Sequence, residues 1–130
     1  MLRFALVYFV ISALIGGLLL AGKASNIHPN IWQLLPIHIE FMLFGWVIQF
    51  TLGTAYWILP RLVKGEPRGN QQLAFLIPIC LNVGIFLVLI SYLLPLHADI
   101  KYLGRLLEFI AVSIFIALHW KRVSKVVHIH

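Results

Sequence analysis

The chain has 130 residues, a net charge of +6 and a single cysteine, Cys80, and hydrophobic residues make up 62% of it. Charged residues account for only 11%, whereas they make up about a quarter of a typical soluble domain. This composition argues against a soluble globular protein and predicts one integral membrane domain over residues 1–130. One cysteine excludes a disulfide framework and also a CxxCH motif for covalent heme attachment.

Four apolar stretches, at residues 4–22, 37–59, 73–94 and 103–120, are long enough to cross a bilayer. Each is predicted to be a helix, because a lone strand would leave backbone groups without hydrogen bonds in lipid. The first stretch has the short basic start of a signal peptide, but its length favours a membrane span. Short connections then predict an all-α fold, an up-down bundle of four helices.

Lysine and arginine residues are distributed unevenly between the two sets of connections. The set that includes the amino-terminal end holds seven: Arg3, Arg61, Lys64, Arg68, Lys121, Arg122 and Lys125. The other set holds three: Lys23, Lys101 and Arg105. Because cytoplasmic loops are richer in basic residues, we predict an inner-membrane protein with both termini in the cytoplasm. The positions of these residues at the ends of the spans indicate contact with lipid headgroups and not with nucleic acid.

The second apolar stretch lies within PIHIEFMLFGWVIQFTLGTAYWILPR, residues 36–61, and carries polar groups inside an apolar run. At about 100° per residue, one helical face holds six residues: His38, Met42, Gly45, Gln49, Leu52 and Tyr56. Glu40 points about 200° away from His38 by the same geometry. A structural interpretation has the glycines of this face pack against another helix while Gln49 hydrogen-bonds across the bundle. A functional interpretation makes His38, near the outer surface, an axial ligand to heme iron.

The segment HIEFMLFGWVIQFTLGTAYWILPR, residues 38–61, resembles the second helix of the catalytic subunit of the heme–copper oxidase and nitric-oxide reductase superfamily. In that family the helix enters from the outer surface and opens with a histidine that ligates the low-spin heme. The resemblance implies this role for His38. The family's catalytic subunit has many more helices and a copper-binding helix with further histidines, which this chain lacks. Neither a copper site nor oxygen reduction is therefore carried over.

The long catalytic subunit of that family resembles repeated four-helix arcs around a pseudo-threefold axis. The resemblance therefore implies a homo-oligomer here, in which two protomers each supply His38 to a shared heme b. Within one chain His97, at the outer end of the third stretch, is the alternative second ligand, and His28 is a weaker candidate. Met42 lies one turn below His38 and is expected to contact the ring edge or another helix.

Other polar residues of the spans allow a functional and a structural interpretation. Arg105 would neutralise heme propionates or simply pair with Glu108, which lies three residues along the same helix. His119 is expected at the inner membrane interface, and Asn82 is expected to hydrogen-bond between helices. The terminal histidines His128 and His130 are given no function, and no role is assigned to Glu40.

The leading hypothesis is a small b-type cytochrome that transfers electrons, or senses a gas or redox state, through non-covalent heme. It would exchange electrons with a redox partner protein rather than act as a stand-alone catalyst. The alternative is a cofactor-free accessory subunit of a larger respiratory membrane complex. A third hypothesis is a heme enzyme whose oligomer assembles the active site, with Glu40 or Gln49 moving protons.

Overall fold

The computed structural model of the chain describes residues 1–25, 29–59, 70–94 and 98–124, and within these ranges it contains helices and no strand. The elements in chain order are an α-helix Leu2–Ser25, a 3-10 helix Pro29–Leu34, an α-helix Leu35–Glu40, a π-helix Phe41–Ile48, and α-helices Gln49–Ile58, Gln71–Leu93 and Ala98–Ser124. The all-α prediction is thus confirmed for the described residues.

Four of the helical segments are long and apolar enough to cross a membrane, and we refer to them as the first to fourth spans. Their bounds are Leu2–Ala24, Asn30–Ile58, Gln71–Leu93 and Asp99–Ser124. The predicted stretches lie within or close to these bounds. The connection before the second predicted stretch is partly helical, because the first helix continues to Ser25 and a 3-10 helix begins at Pro29.

The first span packs along the second and runs in the opposite direction. Leu2 lies against Gly53 near one end, Tyr8 against Gly45 in the middle, and Ile31 against Gly22 at the other end. Each contact places a large side chain of one helix against a glycine of the other. Small residues at such positions let two helix backbones approach closely, which is a major source of helix association in lipid.

The third and fourth spans also pack closely, again with opposite directions. A Cβ atom added to Gly84 would lie 2.8 Å from the carbonyl oxygen of Gly104, and one added to Gly104 would lie 2.7 Å from Val88. The two backbones therefore touch at this crossing. Around it, the core contains Ile77, Leu81 and Ile85 of the third span, Ala111 of the fourth, and Ile37, Phe41 and Leu52 of the second.

Replacing Gly84 with alanine is expected to destabilise the protein by about 1–3 kcal/mol, the usual cost of overpacking. The added methyl group would meet a backbone oxygen, which cannot move without shifting a whole helix. Gly17→Ala is the matched control, because nothing lies within 4 Å of that position and alanine favours a helix. Thermal unfolding in detergent should show a lower midpoint for Gly84→Ala alone. Equal midpoints for the two variants would contradict the close crossing.

Candidate functional site

His38 lies against the first span, where its imidazole ring is held by Ser12. The ring Nδ1 is 2.9 Å from the carbonyl oxygen of Ser12 and 3.1 Å from the Ser12 hydroxyl. The same hydroxyl donates to the carbonyl oxygen of His38 over 3.1 Å. Gly16, one turn further along the first span, makes room for the ring, since a Cβ there would lie 2.8 Å from His38 Cε1.

These contacts fix which ring nitrogen of His38 carries a proton. A carbonyl oxygen only accepts hydrogen bonds, so Nδ1 must be the donor to Ser12. In the neutral ring Nε2 is then left with its lone pair. Histidines that ligate metals ordinarily donate their other N–H to a backbone carbonyl or carboxylate, which fixes the tautomer and the ring orientation. The second span therefore presents an imidazole that is prepared for ligation through Nε2.

The glycines of the second span are occupied by side chains of the first span. A Cβ atom at Gly45 would lie only 2.6 Å from Cγ of Tyr8, and one at Gly53 would lie 3.1 Å from Leu2. Tyr8 also contacts Phe41, with the ring centroids 5.1 Å apart. The structural interpretation of these glycines, as contacts for a neighbouring helix, is thus confirmed. The Tyr8 ring covers part of Gly45, so a cofactor could contact Gly45 only on the part that the ring leaves uncovered.

The π-helix Phe41–Ile48 changes which side chains share a face with His38. The regular helical pattern placed Met42 on the buried face, but the buried residue there is Phe41, and Met42 is only partly buried. Hydrogen bonds from each residue to the fifth before it widen the turns, which shifts the register by comparison with an α-helix. Burial therefore recurs every four residues, at Ile37, Phe41, Gly45 and Gln49.

Gln49 is fully buried, and neither its amide oxygen nor its amide nitrogen has a hydrogen-bond partner among the described residues. The hydrogen bond across the bundle that the sequence suggested for Gln49 is not formed there. Asn82 also differs from its expected role, because its amide nitrogen donates to the Pro78 carbonyl of its own helix over 2.7 Å. A helical carbonyl four residues back is a local partner that competes with any contact between helices.

Glu40 and Arg105 join the second span to the fourth on the side away from Ser12. Arg105 lies 2.6 Å from a Glu40 oxygen and 2.8 Å from a Glu108 oxygen, so one guanidinium pairs with two carboxylates. Each glutamate is only 1% exposed, whereas the arginine side chain is 36% exposed and lies over the Phe44 ring. The predicted pair of Arg105 with Glu108 is confirmed. Glu40 now has a role, which is to cross-link two helices inside the bundle.

The opposite ends of the second and fourth spans meet around His119. This histidine is 2% exposed, stacks on Phe115 with 4.2 Å between ring centroids, and meets Tyr56 edge-on. Its expected position at the inner membrane interface stays a prediction; within the protein, these aromatic rings enclose it. Arg122 is also buried and donates to the carbonyl groups of Tyr56 and Leu59, which closes the carboxyl end of the second span.

The structure brings some of the predicted site residues together and separates others. His38 and Gly45 both face the first span, whereas Arg105 lies beyond Glu40 on the other side of the second span. His119 approaches Tyr56, which at 1.5 Å per residue is about 27 Å along the helix from His38. His28, His97, His128 and His130 lie outside the described residues. Within the described part of the chain, no three metal-binding side chains come together.

Sequence reasoning missed Ser12 and Gly16, although they carry a recognisable signal. They are small residues four apart, a spacing that marks close helix contacts in membranes. Read together with the polar His38 on a neighbouring span, this spacing predicts the contact that the structure contains. Comparison with protein-family models, curated proteins and solved structures finds no match for this chain.

Proposed function

We propose that the chain is a small b-type cytochrome of the inner membrane, built as an up-down bundle of four spans. In this proposal His38 supplies an axial imidazole to non-covalent heme b through Nε2, near the outer membrane surface. The observation that carries the proposal is the 2.9 Å hydrogen bond from Nδ1 of His38 to the Ser12 carbonyl. It leaves Nε2 as the free coordinating atom and orients the ring, as is usual for a ligating histidine.

The residues around His38 fit one axial ligand to a heme. The ring is partly buried and held at two points, so little side-chain entropy remains to be lost on ligation. Heme, when bound, supplies a one-electron redox couple. The chain's own part is to orient the imidazole through Ser12, to leave space for it at Gly16, and to exclude water with the apolar side chains of both spans.

The second axial ligand is proposed to be His38 of a second copy, with the heme held between two protomers. His97 is the alternative within one chain. With two imidazoles the iron has no open position, which suits electron exchange with a redox partner better than catalysis. Arg105 pairs with two glutamates on the far side of the second span. Its main role is therefore to balance their charge, and its proposed contact with heme propionates is secondary.

One observation favours the cofactor-free accessory subunit as a second candidate. Gly45 and Gly53 are in close contact with Tyr8 and Leu2 of the same chain. The glycine face is thus largely occupied by side chains of the same chain, which leaves little of it for a cofactor and suits a cofactor-free subunit. The two candidates differ in a single measurable property, the presence of heme on the purified protein.

The test is the reduced-minus-oxidised visible spectrum of protein purified after expression with ample heme. We expect sharp b-type bands and no change on adding carbon monoxide, since both axial positions are filled. A pyridine hemochrome assay should give one heme for every two chains, whereas one heme per chain would favour His97. A protein that stays colourless and stable would exclude the cytochrome and leave the accessory subunit.

A further inference from the structure

A groove runs between the first and third spans, and Gly53, Tyr56 and Trp57 of the second span line one end of it. It consists of two adjoining cavities of about 540 and 610 Å³, which share the side chains of Met1, Phe4, Phe75 and Pro78. Pro78 lies inside the third span and lines both cavities. A proline inside a helix removes one backbone hydrogen bond and bends the helix.

One end of the groove is polar, and we call this end the mouth. The first cavity contains Arg3 and Gln71, the polar residues at the beginnings of the first and third spans, together with Trp57. The rest of the wall is mostly apolar, and among the described lining residues there is no carboxylate. Arg3 is exposed and forms no ion pair within the described part of the chain. Among the described residues, this end of the groove therefore offers a positive charge with no carboxylate in the lining, above an apolar channel.

The length of the groove is that of a lipid chain. It extends along the third span from Gln71 to Phe86, which is about 22 Å at 1.5 Å per residue. One leaflet of the hydrocarbon core is about 15 Å thick, so an acyl chain that starts at the mouth lies in the groove over its whole length. Trp57, an amphipathic aromatic residue at the mouth, is typical of the depth at which headgroups lie.

A second copy of the chain fits the groove less well than a lipid does. Two copies related by a twofold axis along the membrane normal, and facing each other at this groove, would bring one Arg3 toward the other. Like charges held close together at a membrane surface repel each other. An anionic headgroup instead supplies the charge that is missing at the mouth. Each basic residue near the surface is worth about fivefold in affinity for anionic lipid.

We propose that this groove is a binding site for an anionic phospholipid such as phosphatidylglycerol. The phosphate pairs with the Arg3 guanidinium, beside the Gln71 amide. One acyl chain follows the apolar wall formed by Phe4, Phe75, Val83 and Phe86. The site has no part in binding heme, so this proposal does not depend on the cytochrome proposal.

The experiment measures lipid adducts by native mass spectrometry of the full-length protein in detergent, titrated with phosphatidylglycerol or phosphatidylcholine. The wild type should bind the anionic lipid more tightly, and Arg3→Gln should reduce that preference about fivefold. Lys23→Gln is the matched control, because it removes an exposed positive charge from the other end of the same helix. It should leave the preference unchanged.

A second variant tests the channel separately from the charge. Ala74 lines the first cavity, and Ala74→Phe would fill it and should weaken binding of both lipids at this site while the protein still unfolds at or above the wild-type temperature. Equal losses for Arg3→Gln and Lys23→Gln would overturn the proposal, as would equal binding of the two lipids. A copurified molecule of another class in the groove, such as an isoprenoid, would also overturn it.

Discussion

Removing the His38 imidazole is expected to abolish the b-type absorption bands while the helical bundle stays folded. His38 is the one histidine among the described residues that is held by another span through Nδ1, which leaves Nε2 with its lone pair in the neutral ring. Loss of an axial ligand should remove heme from the protein. Ser12→Ala, which deletes only the hydroxyl partner of the ring, should weaken heme binding by about tenfold, the low end for a residue that orients a ligand.

The measurement is the reduced-minus-oxidised spectrum, with size-exclusion chromatography and circular dichroism to confirm that each variant is folded. His119→Ala is the matched control, because that ring is also held at Nδ1 but lies at the far end of the bundle. It should keep full heme absorbance. In His38→Gly, free imidazole should restore the bands by occupying the vacated space. Bands that persist in His38→Ala without imidazole would rule His38 out as a ligand.

The four spans were predictable because their existence depends on length and hydropathy alone. The bundle must bury or satisfy every backbone group in lipid, so apolar runs of sufficient length become helices. Their ends were less predictable. The 3-10 helix Pro29–Leu34 extends the second span toward the amino terminus, beyond the predicted start at residue 37.

The direction in which each side chain points from the second span was predictable only where the helix is a regular α-helix. Glu40 was expected to point away from His38, and it does contact the fourth span while His38 contacts the first. Below Glu40 the π-helix shifts the register, so Phe41 and not Met42 is buried. Nothing in the local composition FMLFGWVI indicates this wider turn. In the structure, the residues just before this wider turn contact two helices, His38 the first span and Glu40 the fourth.

Partners between spans were the least predictable feature, because they depend on which helices become neighbours. Glu40 alone in an apolar helix is a costly residue. Its partner, Arg105, lies 65 positions along the chain and was assigned first to Glu108. Arg105 in fact pairs with both glutamates, since the guanidinium has donors for two carboxylates. Because a buried acid needs a counter-charge, the sequence implies a basic partner for Glu40 on another span.

Replacing Arg105 with methionine is expected to destabilise the protein by about 3 kcal/mol, the low end for breaking a buried ion pair. Glu40 and Glu108 are each 1% exposed and would be left without their counter-charge. Methionine keeps the length of the aliphatic stem, so the loss reports mainly on charge and hydrogen bonding. The low end applies because the Arg105 side chain is about a third exposed, and water screens part of the interaction.

The matched variant is the triple change Glu40→Gln, Arg105→Met and Glu108→Gln, in which no charge remains to be compensated. It should recover most of the lost stability, because removing a whole buried ionic group costs much less than removing one member of it. Thermal unfolding in detergent, read by circular dichroism, separates the two variants. Lys101→Met, one turn earlier on the same helix, should change the midpoint little, since its ammonium lies over the Tyr92 ring and pairs with no carboxylate among the described residues. If Arg105→Met unfolds at the wild-type temperature, Arg105 does not hold the second span to the fourth, and Glu40 must find its stabilisation elsewhere.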